Sequence, residues 1–146
     1  RAGGRGGVCT EADEPFEAVD GGANIKVPED GTYVVIYNPE EGQLCLTTSF
    51  CGLIGAFNSW AADDFMFYAG EGKFYSFNRN YAGEWKIRMG ADWADNRGGT
   101  YVWNSPFDAI PDGPNITVEE GVVAAGFNII YDAVEETITI NQEVIL

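Results

Sequence analysis

Arg97-Gly98-Gly99, Pro106-Phe107-Asp108-Ala109-Ile110 and Asp112-Gly113-Pro114-Asn115-Ile116-Thr117-Val118 are a second version of something this chain has already said. Arg5-Gly6-Gly7, Pro15-Phe16-Glu17-Ala18-Val19 and Asp20-Gly21-Gly22-Ala23-Asn24-Ile25-Lys26-Val27 precede them in the same order. The echo runs on through Tyr33-Val34-Val35-Ile36-Tyr37-Asn38 against Phe127-Asn128-Ile129-Ile130-Tyr131-Asp132. It closes with Leu44-Cys45-Leu46 against Ile138-Thr139-Ile140. The offset stays at about 91 to 94 residues, the length of one small β domain. Residues from Leu53 to about Asn96 have no earlier copy. The pattern predicts a C-terminal half of one repeat over residues 1–49 and a complete module over residues 50–146, with the boundary at 48–52, as in a piece of a tandem array.

Working outward, period-two alternation dominates, and no amphipathic helical pattern of about ten residues is present. Strands are expected at 24–27, 32–38 and 44–47 in the half-unit. In the complete copy they are expected at 53–57, 65–68, 74–80, 84–89, 100–102, 115–118, 126–132 and 137–141. Asn38-Pro39-Glu40-Glu41-Gly42, Ala69-Gly70-Glu71-Gly72, Tyr81-Ala82-Gly83 and Pro111-Asp112-Gly113-Pro114 mark turns. Many short strands at this spacing indicate an all-β fold, an antiparallel β-sandwich of immunoglobulin-like type. The half-unit should then expose open edges and one apolar face carrying Tyr33, Val35 and Tyr37 or the opposite register. It is open to self-association or to pairing with another segment.

Composition narrows the function classes. Four Trp, seven Tyr and nine Phe supply a packed core. A formal charge of −15 repels phosphate backbones and anionic bilayers, so no nucleic-acid partner is expected. A neutral ligand is indifferent to that charge. The chain has no His, which removes Ser-His-Asp and Cys-His catalysis and the commonest zinc ligand. Cys9, Cys45 and Cys51 are three in number and lack C-x-x-C spacing, so they read as small apolar residues. A Cys45–Cys51 bridge would need the chain to turn back between them. Asp63-Asp64, Asp92 with Asp95, and Glu119-Glu120 sit in loop-like contexts rather than across a cleft, and the calcium-loop spacing is absent. No catalytic residue, cofactor or metal site is expected. No apolar run reaches the roughly 18 residues that a membrane-spanning helix needs.

The remaining chemistry suits a sugar, which offers a flat C–H face to aromatic rings and a rim of hydroxyls to polar side chains. Alternation in 84–89 sends Trp85, Ile87 and Met89 to one face and Glu84, Lys86 and Arg88 to the other. The first set reads as core; the second puts two cations beside the loop expected to bear Trp93. Trp60 lies in the polar run Asn58-Ser59-Trp60-Ala61-Ala62-Asp63-Asp64, either as a binding platform or as a lid on one end of the core. Lys86 and Arg88 read either as donors to sugar hydroxyls or as a solvated sheet face. Asn96 is a donor to ligand or a brace for the Gly98-Gly99 turn. Tyr101 and Trp103 read as packing residues. The half-unit has no equivalents of these tryptophans.

Gly55-Ala56-Phe57-Asn58-Ser59-Trp60, Lys86-Ile87-Arg88, Asp92-Trp93-Ala94-Asp95-Asn96-Arg97-Gly98-Gly99 and Gly113-Pro114-Asn115-Ile116-Thr117-Val118, followed by the closing hairpin, come in an order that resembles the starch-binding modules of the SusE/SusF outer-membrane lipoproteins and the related β modules that accompany pullulanases. The resemblance covers about residues 53–141. It departs at Ile87, where Phe is usual, at Arg97, where an aromatic is common, and in the run Gly121-Val122-Val123-Ala124-Ala125. It implies a non-catalytic module that binds a neutral poly- or oligosaccharide, starch or a related glycan, at a bacterial outer-membrane surface, within a lipoprotein anchored to that membrane. The implied ligand-binding residues are Trp60, Lys86, Arg88, Trp93 and Asn96. The alternative expectation is a structural repeat that spaces domains or docks on a partner protein.

Overall fold

A computed structural model describes residues 4–31 and 33–142. The chain divides into two compact units, Arg1–Phe50 and Cys51–Leu146. The first contains β1 (Arg5–Gly6), β2 (Phe16–Glu17), β3 (Val19–Asp20), β4 (Val34–Asn38) and β5 (Gln43–Thr47). β1 pairs antiparallel with β3, and β5 lies between β2 and β4.

The second unit contains β6 (Cys51–Gly55), β7 (Asp64–Phe65), β8 (Phe67–Gly70), β9 (Lys73–Arg79), β10 (Glu84–Met89), β11 (Asp92–Gly98), β12 (Phe107–Asp108), β13 (Ile110–Pro111), β14 (Ile116–Thr117), the short helix α1 (Glu120–Ala125), β15 (Phe127–Asp132) and β16 (Thr137–Asn141). One antiparallel sheet runs β13-β11-β10-β6-β7, with β14 also on β10; the other runs β12-β16-β15-β9-β8. This is an all-β sandwich. Its core is what alternation dictates: Leu53 from β6, Trp85 and Ile87 from β10, Phe74 from β9, Phe127, Ile129 and Tyr131 from β15, and Ile138 and Ile140 from β16. Each fully buried large side chain contributes about 1.5–3 kcal/mol. Trp85 stacks 6.5 Å from Phe127, and Tyr81 meets both rings edge-on at 5.8 and 6.2 Å.

Four local expectations differ from the structure. The expected strand at 65–68 is two strands, β7 in one sheet and β8 in the other, with buried Met66 at the crossing. Residues 100–102 form no strand, whereas Asp92–Gly98 does. The segment 24–27 is not a strand, although its counterpart contains β14. Six residues form α1 where none was expected. Thr32, expected to open the strand at 32–38, lies outside the described residues, and β4 begins at Val34.

The sequence echo is also a geometric echo. A Cβ on Gly6 would stand 2.0 Å from the Ala23 carbonyl oxygen, and one on Gly98 would stand 2.0 Å from that of Pro114. At Gly7 and Gly99 the obstacle is the carbonyl of Glu17 or Asp108 at 2.5 Å, with the ring of Phe16 or Phe107 behind it. Gly7 N–H donates to Ala23 O at 3.1 Å, and Gly99 N–H to Pro114 O at 2.9 Å. In the closing hairpins, Asn38 Oδ1 accepts from the amides of Glu40 and Glu41, and Asp132 Oδ1 from those of Val134 and Glu135. Tyr37 pairs with Leu44 as Tyr131 pairs with Ile138. β1 to β5 thus correspond to the end of β11, β12, β13, β15 and β16.

Gly98→Ala forces a methyl into a backbone carbonyl that no side-chain rotation relieves. It should destabilise the second unit by about 3 kcal/mol or more, read as a lower midpoint in urea. Burial and the Asp64 carboxylate raise the Tyr81 phenol, burial raises Tyr131, and burial with Glu119 raises Tyr101 to about 12. The folded state therefore holds these protons more tightly than the unfolded chain. Their contribution is complete below about pH 10 and is lost as pH rises past it. Urea midpoints should fall between pH 9 and pH 11.5, in step with delayed tyrosinate absorbance near 295 nm.

Candidate functional site

β10 and β11 are joined by Gly90 and Ala91, with φ of 61° and 55°, and Met89 pairs with Asp92 across the turn. Two consecutive left-handed residues make the type I′ connection that matches strand twist. The register then jumps, because Arg88 pairs with Asn96 while Met89 pairs with Asp92. Trp93, Ala94 and Asp95 have no opposite residues in this pairing and bulge from β11. Side chains hold the bulge at both ends: Asp92 Oδ1 accepts from the Ala94 amide at 2.9 Å, and Asn96 Nδ2 donates to the Trp93 carbonyl at 2.9 Å. Asn96 Nδ2 also donates to Asp112 Oδ1 at 2.9 Å. Trp93, expected in a loop, stands on this bulge.

Trp60 is presented by a second strained connection. β6 ends at Gly55, where a Cβ would lie 2.3 Å from the Glu84 carbonyl, so only glycine lets β6 approach β10 here. A single 3-10 turn over Ala56–Asn58 follows, then Ser59 and Trp60, both at φ 57°. The Trp60 amide donates to the Gly55 carbonyl at 2.9 Å. Asn58 clamps the turn, its Oδ1 accepting from Gly55 N–H at 3.2 Å and its Nδ2 donating to the Ala62 carbonyl. Phe57 stacks on Tyr81 at 3.7 Å and 9°, tying the turn to the core. A left-handed bulky residue costs of order 1–3 kcal/mol and persists where the surroundings impose it.

The two tryptophans meet. Their ring centroids are 5.9 Å apart at 38°, with Trp60 37% and Trp93 44% exposed. The Arg88 guanidinium lies 4.8 Å from the Trp93 ring centroid, a cation–π contact, and is held by Asp63 through a two-point ion pair. Asp63 fits over β6 because Gly52, opposite Arg88, has no side chain; a Cβ there would lie 2.6 Å from Asp63 Cβ. Both partners are largely buried, with side-chain exposures of 13% and 4%.

Of the five residues singled out from sequence, the structure thus brings Trp60, Trp93 and Arg88 together. Lys86 and Asn96 share the outer face of the same sheet, yet both are buried. Lys86 Nζ donates to the Gly113 carbonyl at 2.7 Å, anchoring the loop before β14 to β10, while Asn96 braces the bulge and Asp112. They act here as positioning residues. Sequence reasoning had passed over Asp63 as a site residue, as well as Gly52 and Asn58. The signal was present: a glycine opposite Arg88 in the neighbouring strand, and an Asn before two non-glycine turn residues. Trp103 is partly exposed and bridges to Ile140, while Tyr101 donates to Glu119 at 2.9 Å.

Cys9, Cys45 and Cys51 are free thiols, and burial raises the Cys51 thiol strongly. Among the described residues no group of three or more Cys, Asp and Glu converges to hold a metal ion. No helix among them is long and apolar enough to cross a membrane. Comparisons with protein-family models, curated proteins and solved structures returned no significant match.

Asp63→Ala leaves the Arg88 charge unpaired in a largely dry position. It should cost the second unit about 3–5 kcal/mol in a urea melt. In the folded variant the tryptophan emission should also move to longer wavelength, as Trp93 loses its fixed cation.

Proposed function

We propose that the second unit is a non-catalytic carbohydrate-binding module whose platform is the Trp60–Trp93 pair. One observation carries this reading: two half-exposed indoles, 5.9 Å apart and inclined at 38°, stand on a fixed Arg88–Asp63 base. An inclined aromatic pair presents C–H-binding faces to successive rings of a curved glycan such as an α-glucan. Fixing both rings in the free protein lowers the ordering cost of binding, which matters for a shallow site that gains little from area. The hydroxyl rim would meet polar groups bordering the pair, with Asp92 beside the bulge and Asp95 on it as acceptors. The net charge of −15 neither attracts nor repels such a ligand. The resemblance to outer-membrane starch-binding modules supports starch or a related glycan, and a bacterial surface, as the setting.

A second reading, a structural repeat docking on other segments, is favoured by apolar residues that the first unit leaves exposed.

Native electrophoresis through gels cast with amylopectin, xylan, mannan or no polysaccharide checks the first reading. The chain should be retarded by one glycan. Trp93→Ala, a substitution at an exposed position, should abolish that retardation while leaving the unfolding free energy from a urea melt within about 1 kcal/mol of the parent. Equal mobility in every gel would sink it.

A further inference from the structure

The first unit corresponds to the later part of the second unit, which shows what the same elements look like beside β6 to β10. In the second unit β15 pairs with β9, and Ile129 and Tyr131 are 0% and 1% exposed. Their counterparts on β4, Val35 and Tyr37, are 60% and 43% exposed, and among the described residues β4 pairs only with β5. β14 exists because β10 lies beside it, with Trp85 opposite Ile116 and Glu84 opposite Thr117. The corresponding segment at Ile25-Lys26 forms no strand, and Val27 is exposed where Val118 is buried.

A third observation locates the seat. A cavity of about 330 Å³ is lined by Gly4, Arg5, Gly21, Gly22, Ala23, Asn24 and Ile25. Its counterpart in the second unit is where β10 runs and where Lys86 Nζ meets the Gly113 carbonyl. Gly22 stands in the place of Gly113, in the same close approach to the residue three before it. The backbone that receives a lysine from β10 is therefore already shaped in the first unit.

We infer that the first unit is an accepting half-module, closed by a second copy of the repeat's own first half, a segment patterned like residues 51–89. Its β9-type strand adds to the free edge of β4 in the register that β15 shows, so that Tyr37 faces a residue like Phe74 and Ile36 one like Tyr75. Its β10-type strand fills the cavity, pairs with β1 and with the segment at Ile25-Lys26, and places a lysine on the Gly22 carbonyl. The alternation of β9 and β10 fits this: Phe74, Trp85 and Ile87 would cover Val35, Tyr37 and Ile25, as their originals cover Ile129, Tyr131 and Ile116.

The test copies residues 51–96 and joins the copy directly to Arg5, which reproduces the connection of the second unit. Hydrogen exchange is then followed over Val34–Asn38 and 24–27. In the chimera the amides on the open side of β4 should exchange at least about 100-fold more slowly than in the 146-residue chain. A chimera carrying the copied segment in scrambled order should show no such change. Val35→Asp should be tolerated in the 146-residue chain and should erase the new protection in the chimera. Unchanged exchange, or a chimera that precipitates, overturns the inference. So does concentration-dependent protection of β4 in the 146-residue chain alone, because β4 would then pair with a second β4 rather than with a β9-type strand.

Discussion

β10 carries more of the second unit than any other element, because its two edges and two faces are all committed. One edge is hydrogen-bonded to β6 along its length; the other is shared in succession by β14 and β11. Toward the core it sends Trp85 and Ile87, the centre of the aromatic cluster. Away from the core it sends Lys86, which ties down the loop before β14, and Arg88, which orders Asp63 and Trp93. Core and candidate site are thus opposite faces of one strand. Their geometry is coupled by period-two alternation alone.

The first unit shows what this arrangement owes to β10 and what it does not. It keeps the glycine approaches, the β1–β3 pairing, the hairpin braced by Asn38 and the β4–β5 ladder. Those features rest on contacts close in sequence or on backbone shapes open to glycine, and among the described residues they form with no counterparts of β6 to β10 in the first unit. The strand at Ile25-Lys26 and the burial of Val35 and Tyr37 do not form. Each of those needs a partner from another part of a complete module. The repeat therefore separates locally encoded structure from structure that exists only by closure.

The same distinction explains what was legible in the sequence. The sandwich class, β10 over Glu84–Met89 and β16 over Thr137–Asn141 were legible because alternation and turn residues are local signals. β11 was not: Asp92, Ala94, Asp95 and Asn96 have low strand propensity, and the pairing with β10 overrides it. The expected strand at 24–27 had the pattern but lacked a neighbour. The split at Met66 was hidden because a strand that changes sheets keeps its apolar content while reversing its facing. In the site, Trp60 and Trp93 stood out as large apolar residues in polar runs. The burial of Lys86 and Asn96 was invisible because alternation assigns a face without saying that the outer face is itself covered. Asp63 was obscured by its neighbour Asp64, which points elsewhere, to Tyr81 and Arg79.

The candidate site is built rigid, and on the proposed reading that rigidity bears on the kind of ligand it would suit. Ser59, Trp60 and Ala91 hold left-handed backbones without being glycine, and Arg88 and Asp63 are taken largely out of water as a pair. Strain of this kind costs of order 1–3 kcal/mol per residue, and a buried pair is seldom more stabilising than apolar packing of the same volume. Neither device improves the core, since Leu53, Trp85 and Ile87 pack beneath them from the other face. Their common effect is to fix the separation and inclination of two indoles before anything arrives. A charged ligand could be drawn in and oriented by electrostatics, so its site can tolerate looser walls. A neutral ligand receives no such help, and its affinity depends on surfaces already in place. The strained turns, the buried Arg88–Asp63 pair and the exposed tryptophans are thus consistent with one another if the surface serves a neutral, flat-faced ligand.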